Sequence, residues 1–133
     1  MKIYVIGKFE QKELVREVYG KLREIGCEIS CDWTTHQSIK PYSENPKLAT
    51  EYSEEEMKAI AESDIIIYLS SKEGTTSKLE VGGAMLLNFT RGKPKMIYLV
   101  GEFNTSSPWF MNPRVKRVNS VEEVIKELKN LKP

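Results

Sequence analysis

The sequence predicts a flavodoxin-like α/β domain: a doubly wound parallel sheet of about five strands in the order 2-1-3-4-5, with helices on both faces. Three observations predict it. Short runs rich in β-branched residues alternate with longer amphipathic segments along the chain. The runs around residues 3, 66 and 98 are apolar almost continuously rather than alternating, which marks strands covered on both faces. The 133 residues suffice for one domain with a continuous core, and are too few for two comfortable ones.

The elements follow in order. IYVIG (3–7) is the first strand, and a helix spans 11–25. CEISCD (27–32) is the second strand and a polar loop leads to a helix over 54–62. DIIIYL (64–69) is the third strand, followed by a helix over 78–91 and the strand MIYLVG (96–101). VKRV (115–118) is a short last strand before a helix over 121–131. Right-handed crossovers favour the 2-1-3-4-5 order, with a Rossmann-like order as the alternative. Two stretches, 33–53 and 102–114, read as irregular, and no repeat or linker divides the single domain 1–133.

Composition narrows the partners. The 20 Lys and Arg nearly cancel the 19 Asp and Glu, so net charge gives no reason to expect nucleic acid or an anionic membrane. Small molecules or other proteins are the expected partners. MKIYVIGKFE lacks the charged, apolar and cleavage regions of a signal peptide, and no apolar run is long enough to span a bilayer, so a cytoplasmic location is expected. Cys27 and Cys31 are four apart in one expected strand, which separates their Cα atoms by about 13 Å, beyond disulfide reach. They read as buried thiols rather than metal ligands, because there is no other Cys and His36 is the one histidine. That single His also excludes a multi-histidine metal site.

In this fold ligands bind beyond the carboxyl ends of the strands, beside the point where strand order reverses. Gly7, Lys8 and Phe9 follow the first strand, Asp32 and Trp33 the second, 70–77 the third and 101–104 the fourth. Asp64 begins a strand, so it belongs to the opposite edge as a turn residue. Within the favoured edge, Ser77 and Glu80 have the spacing of a capping box, and Ser53 with Glu56 and Ser120 with Glu123 repeat it. The spacing alone therefore proves no chemistry. The middle copy differs in two ways: Gly82 and Gly83 weaken the helix just after it, and hydroxyls at 70, 71, 75 and 76 precede it. A missing side chain lets a ligand or a neighbouring backbone come close, and a helix N-terminus with hydroxyls suits an anion or a polyhydroxylated group. A ligand site and a helix packed tightly on the sheet both satisfy this pattern.

Glu80-Val81-Gly82-Gly83-Ala84 matches the E-x-G-x-A signature of the nucleoside 2-deoxyribosyltransferase superfamily. IYVIGKF resembles that family's opening strand, SDIIIYL its third strand, and GKPKMIYLVGE its "GKPV" strand. CDWTTH and PRVKRVNSVEEV resemble members of a small branch of the superfamily, so the likeness covers most of the chain. The resemblance implies that Glu80 is a nucleophile on the anomeric carbon of a nucleoside, forming a glycosyl ester that passes to another base or to water. It implies a second carboxylate 24 residues earlier, at Glu56, where the family usually has Asp. Tyr4 matches a pocket-lining Tyr, although a Tyr in a buried strand serves equally as core.

Position at the favoured edge and the start of the helix suggest substrate contacts from Gly7, Lys8, Asp32, Trp33, Thr76, Ser77 and Gly82, and the resemblance makes Lys8 the one obvious charge for a 5′-phosphate. Thr76-Ser77 stands where the family often has Gly-Thr or Gly-x-Gly. Trp33 either stacks on a base or covers the core edge, and His36 reads as a loop residue rather than an acid-base catalyst. Phe103, Trp109, Phe110 and Met111 form an apolar cluster that suggests a subunit interface or a lid, with a homodimer or a higher homo-oligomer the simplest form. The expected function is transfer or hydrolysis at the N-glycosidic bond of a nucleoside or nucleotide, with no metal or organic cofactor required. The alternatives are a nucleotide-binding or signalling module without turnover, and an NAD-type glycohydrolase.

Overall fold

The computed structural model describes residues 1–131; the last two residues of the expected 1–133 domain lie outside the described part. Five parallel strands form one sheet in the order β2-β1-β3-β4-β5. The strands are β1 (Lys2–Ile6), β2 (Glu28–Ile29), β3 (Ile65–Leu69), β4 (Met96–Val100) and β5 (Lys116–Val118). The helices are α1 (Lys12–Glu24), α2 (Pro46–Glu62), α3 (Thr75–Arg91) and α4 (Val121–Leu131). This is the expected doubly wound order. All five residues of β3 are buried, as a central strand covered by helices on both sides requires.

Register sorts the side chains between the two faces. Tyr4 lies opposite Ile66 and Ile6 opposite Tyr68, so Tyr4 and Tyr68 point to the same side of the sheet. The Tyr4 hydroxyl reaches Glu80, which identifies that side as the one covered by α3, against which α2 packs. Tyr98 is opposite Ile67 and points the other way, where its hydroxyl donates to Glu127 of α4. On that side α1 meets α4, and Lys21 pairs with Glu122 at 2.9 Å. Among the described residues, no helix is long and apolar enough to cross a membrane.

Two helix starts differ from the sequence expectation. α2 begins at Pro46, with Asn45 before it and proline in the first turn, where its missing N–H has no intrahelical partner to lose. Ser53 is therefore inside the helix, its hydroxyl donating to the Thr50 carbonyl, and Glu54 to Glu56 are mid-helix residues rather than first-turn carboxylates. α3 begins at Thr75, capped by Gly74 at φ 109°, a conformation that disfavours any residue with a Cβ. Ser77 is consequently in the first turn, and its hydroxyl donates back to the Gly74 carbonyl at 3.0 Å. Of the three expected capping boxes only the Ser120 copy caps a helix: Ser120 Oγ accepts from the Glu123 amide, and the Glu123 carboxylate accepts from the Asn119 amide.

β2 is shorter than the expected 27–32 because Ser30 turns its hydroxyl onto the Ile3 carbonyl and Ser63, and Cys27 still donates its amide to Leu22 at the end of α1. Both cysteines are free thiols. Asp64 lies at the amino edge of β3, accepting from the Lys2 amide at 2.9 Å with Lys93 nearby, and so fastens the edge opposite the candidate site.

Candidate active site

Glu80 lies in the second turn of α3, on the helix face turned toward the sheet. Its carboxylate accepts a 2.6 Å hydrogen bond from the hydroxyl of Tyr4, in the middle of β1. The carboxylate is not turned back on the helix amides, so the capping reading of Ser77 and Glu80 is replaced by a contact across 76 residues of sequence. Burial pushes the Glu80 carboxyl up to about 8; the Tyr4 hydrogen bond pulls it down and the charge of Glu56 adds to the rise. Tyr4 is raised well above the usual phenol range, first by burial and then by Glu80 and Glu56, so it remains a hydroxyl donor throughout the physiological range.

Glu56 stands on α2 beside this pair. Burial raises its carboxyl, the charge of His36 pulls it down, and Glu55 pushes it up again. His36 follows a 3-10 turn at Trp33–Thr35, with Nδ1 3.6 Å from Glu56 and Nε2 3.0 Å from Glu55. Its ring stacks flat on Tyr52, centroids 3.9 Å apart and planes 3° from parallel. Cys31 is half-buried nearby, its thiol pushed up to about 11 by burial and then by Glu55, Glu56, Asp32 and Glu80. Tyr4, Cys31, Asp32, Glu56 and Glu80 thus share one electrostatic neighbourhood, and His36 lies against its Glu56 side.

The remaining residues suggested as contacts divide. Lys8 is brought to the start of α3: a Cβ at Gly74 would sit 3.7 Å from its own Cβ. Thr75 and Thr76 are exposed there, while Ser77 is buried against the Gly74 carbonyl. The expected free hydroxyls at 70 and 71 have partners, since Ser70 Oγ accepts from the Phe103 amide and Ser71 donates to the Glu73 carbonyl. Asp32 caps the 3-10 turn through the Thr34 amide. Trp33 is 7 % exposed, with its indole N–H donating to the Val5 carbonyl at 2.7 Å, and so covers the core edge. Gly7 has a packing reason: a Cβ would meet Val15 at 3.0 Å and Gln11 at 3.2 Å.

Gly82 does not join Glu80. It faces the segment after β4, where a Cβ would meet only Trp109 at 4.0 Å, and Gly83 has nothing within 4 Å. A groove of about 180 Å³ between Val81, Gly82, Met85 and Trp109, and one of about 340 Å³ between Met85, Phe89, Trp109 and Arg114, both lie on this outer side and exclude Tyr4, Glu56 and Glu80. Among the described residues, no neighbouring backbone approaches either glycine closely.

The role of His36 was not legible as long as 33–53 read as loop. With α2 starting at Pro46, Tyr52, Glu55 and Glu56 fall at helical spacing on one face, which is the signal that places His36 against them.

No protein-family model and no curated protein sequence matches the chain. Among solved structures it is similar to the Clostridium botulinum CMP N-glycosidase BcmB, at 17 % sequence identity and a TM-score of 0.61, over 96 % of this chain and 98 % of that one. At that identity the likeness is one of fold, and it extends over the whole domain: this five-stranded sheet and its helices have the architecture of a CMP N-glycosidase.

Proposed function

We propose that this chain cleaves the N-glycosidic bond of a nucleoside 5′-monophosphate or nucleoside, with Glu80 as nucleophile. The observation that carries the reading is the part-buried Tyr4–Glu80 hydrogen bond beside a second carboxylate, with Glu80 in the second turn of the helix that follows β3. The shared architecture with a CMP N-glycosidase supports a nucleotide as substrate.

The chemistry follows from the arrangement. Once Glu80 has lost its proton to solvent, one oxygen of the ionised carboxylate bonds to C1′ as the C1′–N bond breaks, and the departing base takes the proton of Glu56, whose carboxyl is held above its ordinary range. The Tyr4 hydroxyl stays on Glu80 and fixes which oxygen attacks. Water then attacks C1′ of the glycosyl ester, losing its proton to the Glu56 carboxylate and freeing Glu80; a second base in place of water gives transfer. Lys8 and the first turn of α3 hold the 5′-phosphate, through an ammonium charge and the positive end of the helix. Leu79, Leu86, Phe89, Trp109 and Met111 leave an exposed apolar strip on α3 and the segment after β4, which a second copy of the chain covers in a homodimer.

The test is a product assay with deoxynucleosides, nucleoside monophosphates and NAD, each with and without free adenine. Free base released by the native chain and not by Glu80→Gln supports the reading. Tight nucleotide binding with no product in any mixture sinks it in favour of a binding module without turnover.

A further inference from the structure

Among the described residues, one group of three metal-ligating side chains converges: Cys31, His36 and Glu55, each offering one donor atom within 4.8 Å of the other two. They come from three separate places, the segment just after β2, the residue after the 3-10 turn, and the middle of α2. We propose that Cys31 Sγ, His36 Nε2 and the Glu55 carboxylate form a site for one divalent transition-metal ion of the zinc and cobalt class, open at its fourth position. The proposal does not rest on the glycosidase reading.

Three features of the surroundings point to a cation. First, the donor set mixes sulfur, imidazole nitrogen and carboxylate oxygen, which selects borderline ions over calcium or magnesium. A tetrahedral ion with bonds of about 2.0 to 2.3 Å spaces its ligands by roughly 3.3 to 3.6 Å. That fits within the 4.8 Å span, with the 3.0 Å contact between Nε2 and Glu55 opening slightly.

Second, the ring is already oriented as a ligand. Nε2 faces Glu55, while Nδ1 faces Glu56 at 3.6 Å, and a metal-bound histidine commonly has its other ring nitrogen turned to such a carboxylate, which fixes its tautomer. Tyr52 holds the ring plane by stacking on it. An ordinary His–Glu pair accounts for the 3.0 Å contact, but gives no reason for the sulfur of Cys31 to join it.

Third, the charge is one-sided. Cys31 lies in the field of the Glu55, Glu56 and Asp32 carboxylates, and His36 is the basic group beside Glu55 and Glu56. A bound dication offsets that field. On binding, metal–sulfur, metal–nitrogen and metal–oxygen bonds form, the thiol proton leaves to solvent, and Glu55 exchanges its contact with Nε2 for the ion. Glu56 then serves as the acceptor for Nδ1–H and couples the site to the Tyr4–Glu80 pair.

The experiment is a cobalt(II) titration of the reduced, chelator-treated full chain, followed by absorption spectroscopy and then by zinc competition. The expected result is saturation at one equivalent per chain, with a thiolate-to-cobalt charge-transfer band and tetrahedral ligand-field bands that zinc abolishes. Cys31→Ser removes the charge-transfer band, and Cys27→Ser keeps it. Glu56→Gln retains the spectrum but weakens binding by roughly 10-fold to 100-fold, as loss of the carboxylate that orients a ligating histidine does. Glu55 is exposed, so Glu55→Gln preserves the fold and weakens binding even if the Cys31 variant fails to fold. Failure to saturate, a spectrum without the charge-transfer band, or a band and affinity unchanged in Cys31→Ser or Glu55→Gln overturns the proposal.

Discussion

The two sides of α3 are built on opposite terms. On the inner side, Glu80 is largely withdrawn from water, held by Tyr4 across the sheet and raised to about 8. On the outer side, Leu79, Leu86 and Phe89 are exposed, and two glycines touch almost nothing. One side accepts an electrostatic penalty, the other a conformational and hydrophobic one. Such penalties persist where function requires them, so the difference matches the proposed division between a region for chemistry and a region for association, although both were compressed into one signature in the sequence.

Replacing Glu80 tests the inner side most severely. Glu80→Gln is expected to lower base release by roughly three orders of magnitude or more, the scale for loss of a nucleophile. It should also alter the pH dependence of stability. A carboxyl at about 8 in the folded chain and near 4.5 in the unfolded one binds a proton in the native state between those values. Stability from this group is therefore complete below the lower value and is lost as pH rises through the upper one, a change on the order of a few kcal/mol. Thermal melts of the native chain are expected to fall in Tm between those pH values, and Glu80→Gln to flatten that slope. A native chain whose Tm rises over the same interval contradicts the assignment.

Tyr4→Phe is the next largest. Loss of a hydrogen bond to a charged group costs about 1.5 to 3 kcal/mol, or roughly 10-fold to 150-fold in kcat/KM. Because that bond lowers the Glu80 carboxyl, its removal moves the carboxyl further up, and the shift is measurable by NMR titration. An unchanged titration means the bond is unimportant in solution.

The outer side has its own tests. Leu86→Glu places a charge in the exposed apolar strip, and should turn a dimer into a monomer by light scattering while leaving the fold intact. A native chain that is already monomeric removes the basis for the interface. The smallest expected effect is that of Gly83→Ala. With nothing within 4 Å of its Cβ, alanine is expected to stabilise α3 by roughly 0.5 to 1 kcal/mol through better helix propensity. A loss of stability or of activity would show that something outside this chain approaches closely there.

Much of the fold was legible because continuous apolar runs and their spacing determine buried parallel strands: IIIYL and MIYLV need no context to be recognised. The helix starts were not, because a Ser followed three residues later by Glu is ambiguous. Ser53 satisfies its hydroxyl inside the helix, Ser77 bonds backwards to Gly74, and only Ser120 caps. Better signals were Pro46 after Asn45 and Gly74 before Thr75, both of which constrain the backbone itself. In the site, Glu80, Glu56 and Tyr4 were named through a family likeness; no pattern within 133 residues says that position 4 meets position 80. His36 and Cys31 were weighed by counting His and Cys alone, a count that leaves carboxylates such as Glu55 out.

The two tryptophans sit on the two sides that α3 separates. Trp33 is buried behind the end of β1, close to the Tyr4 strand, and Trp109 is 54 % exposed on the apolar strip. Their emission should therefore divide by colour, a blue component from the dry indole and a red one from the wet indole. A single fluorescence spectrum can then follow both regions at once: nucleotide or metal binding perturbs the blue component, and self-association moves the red component toward it.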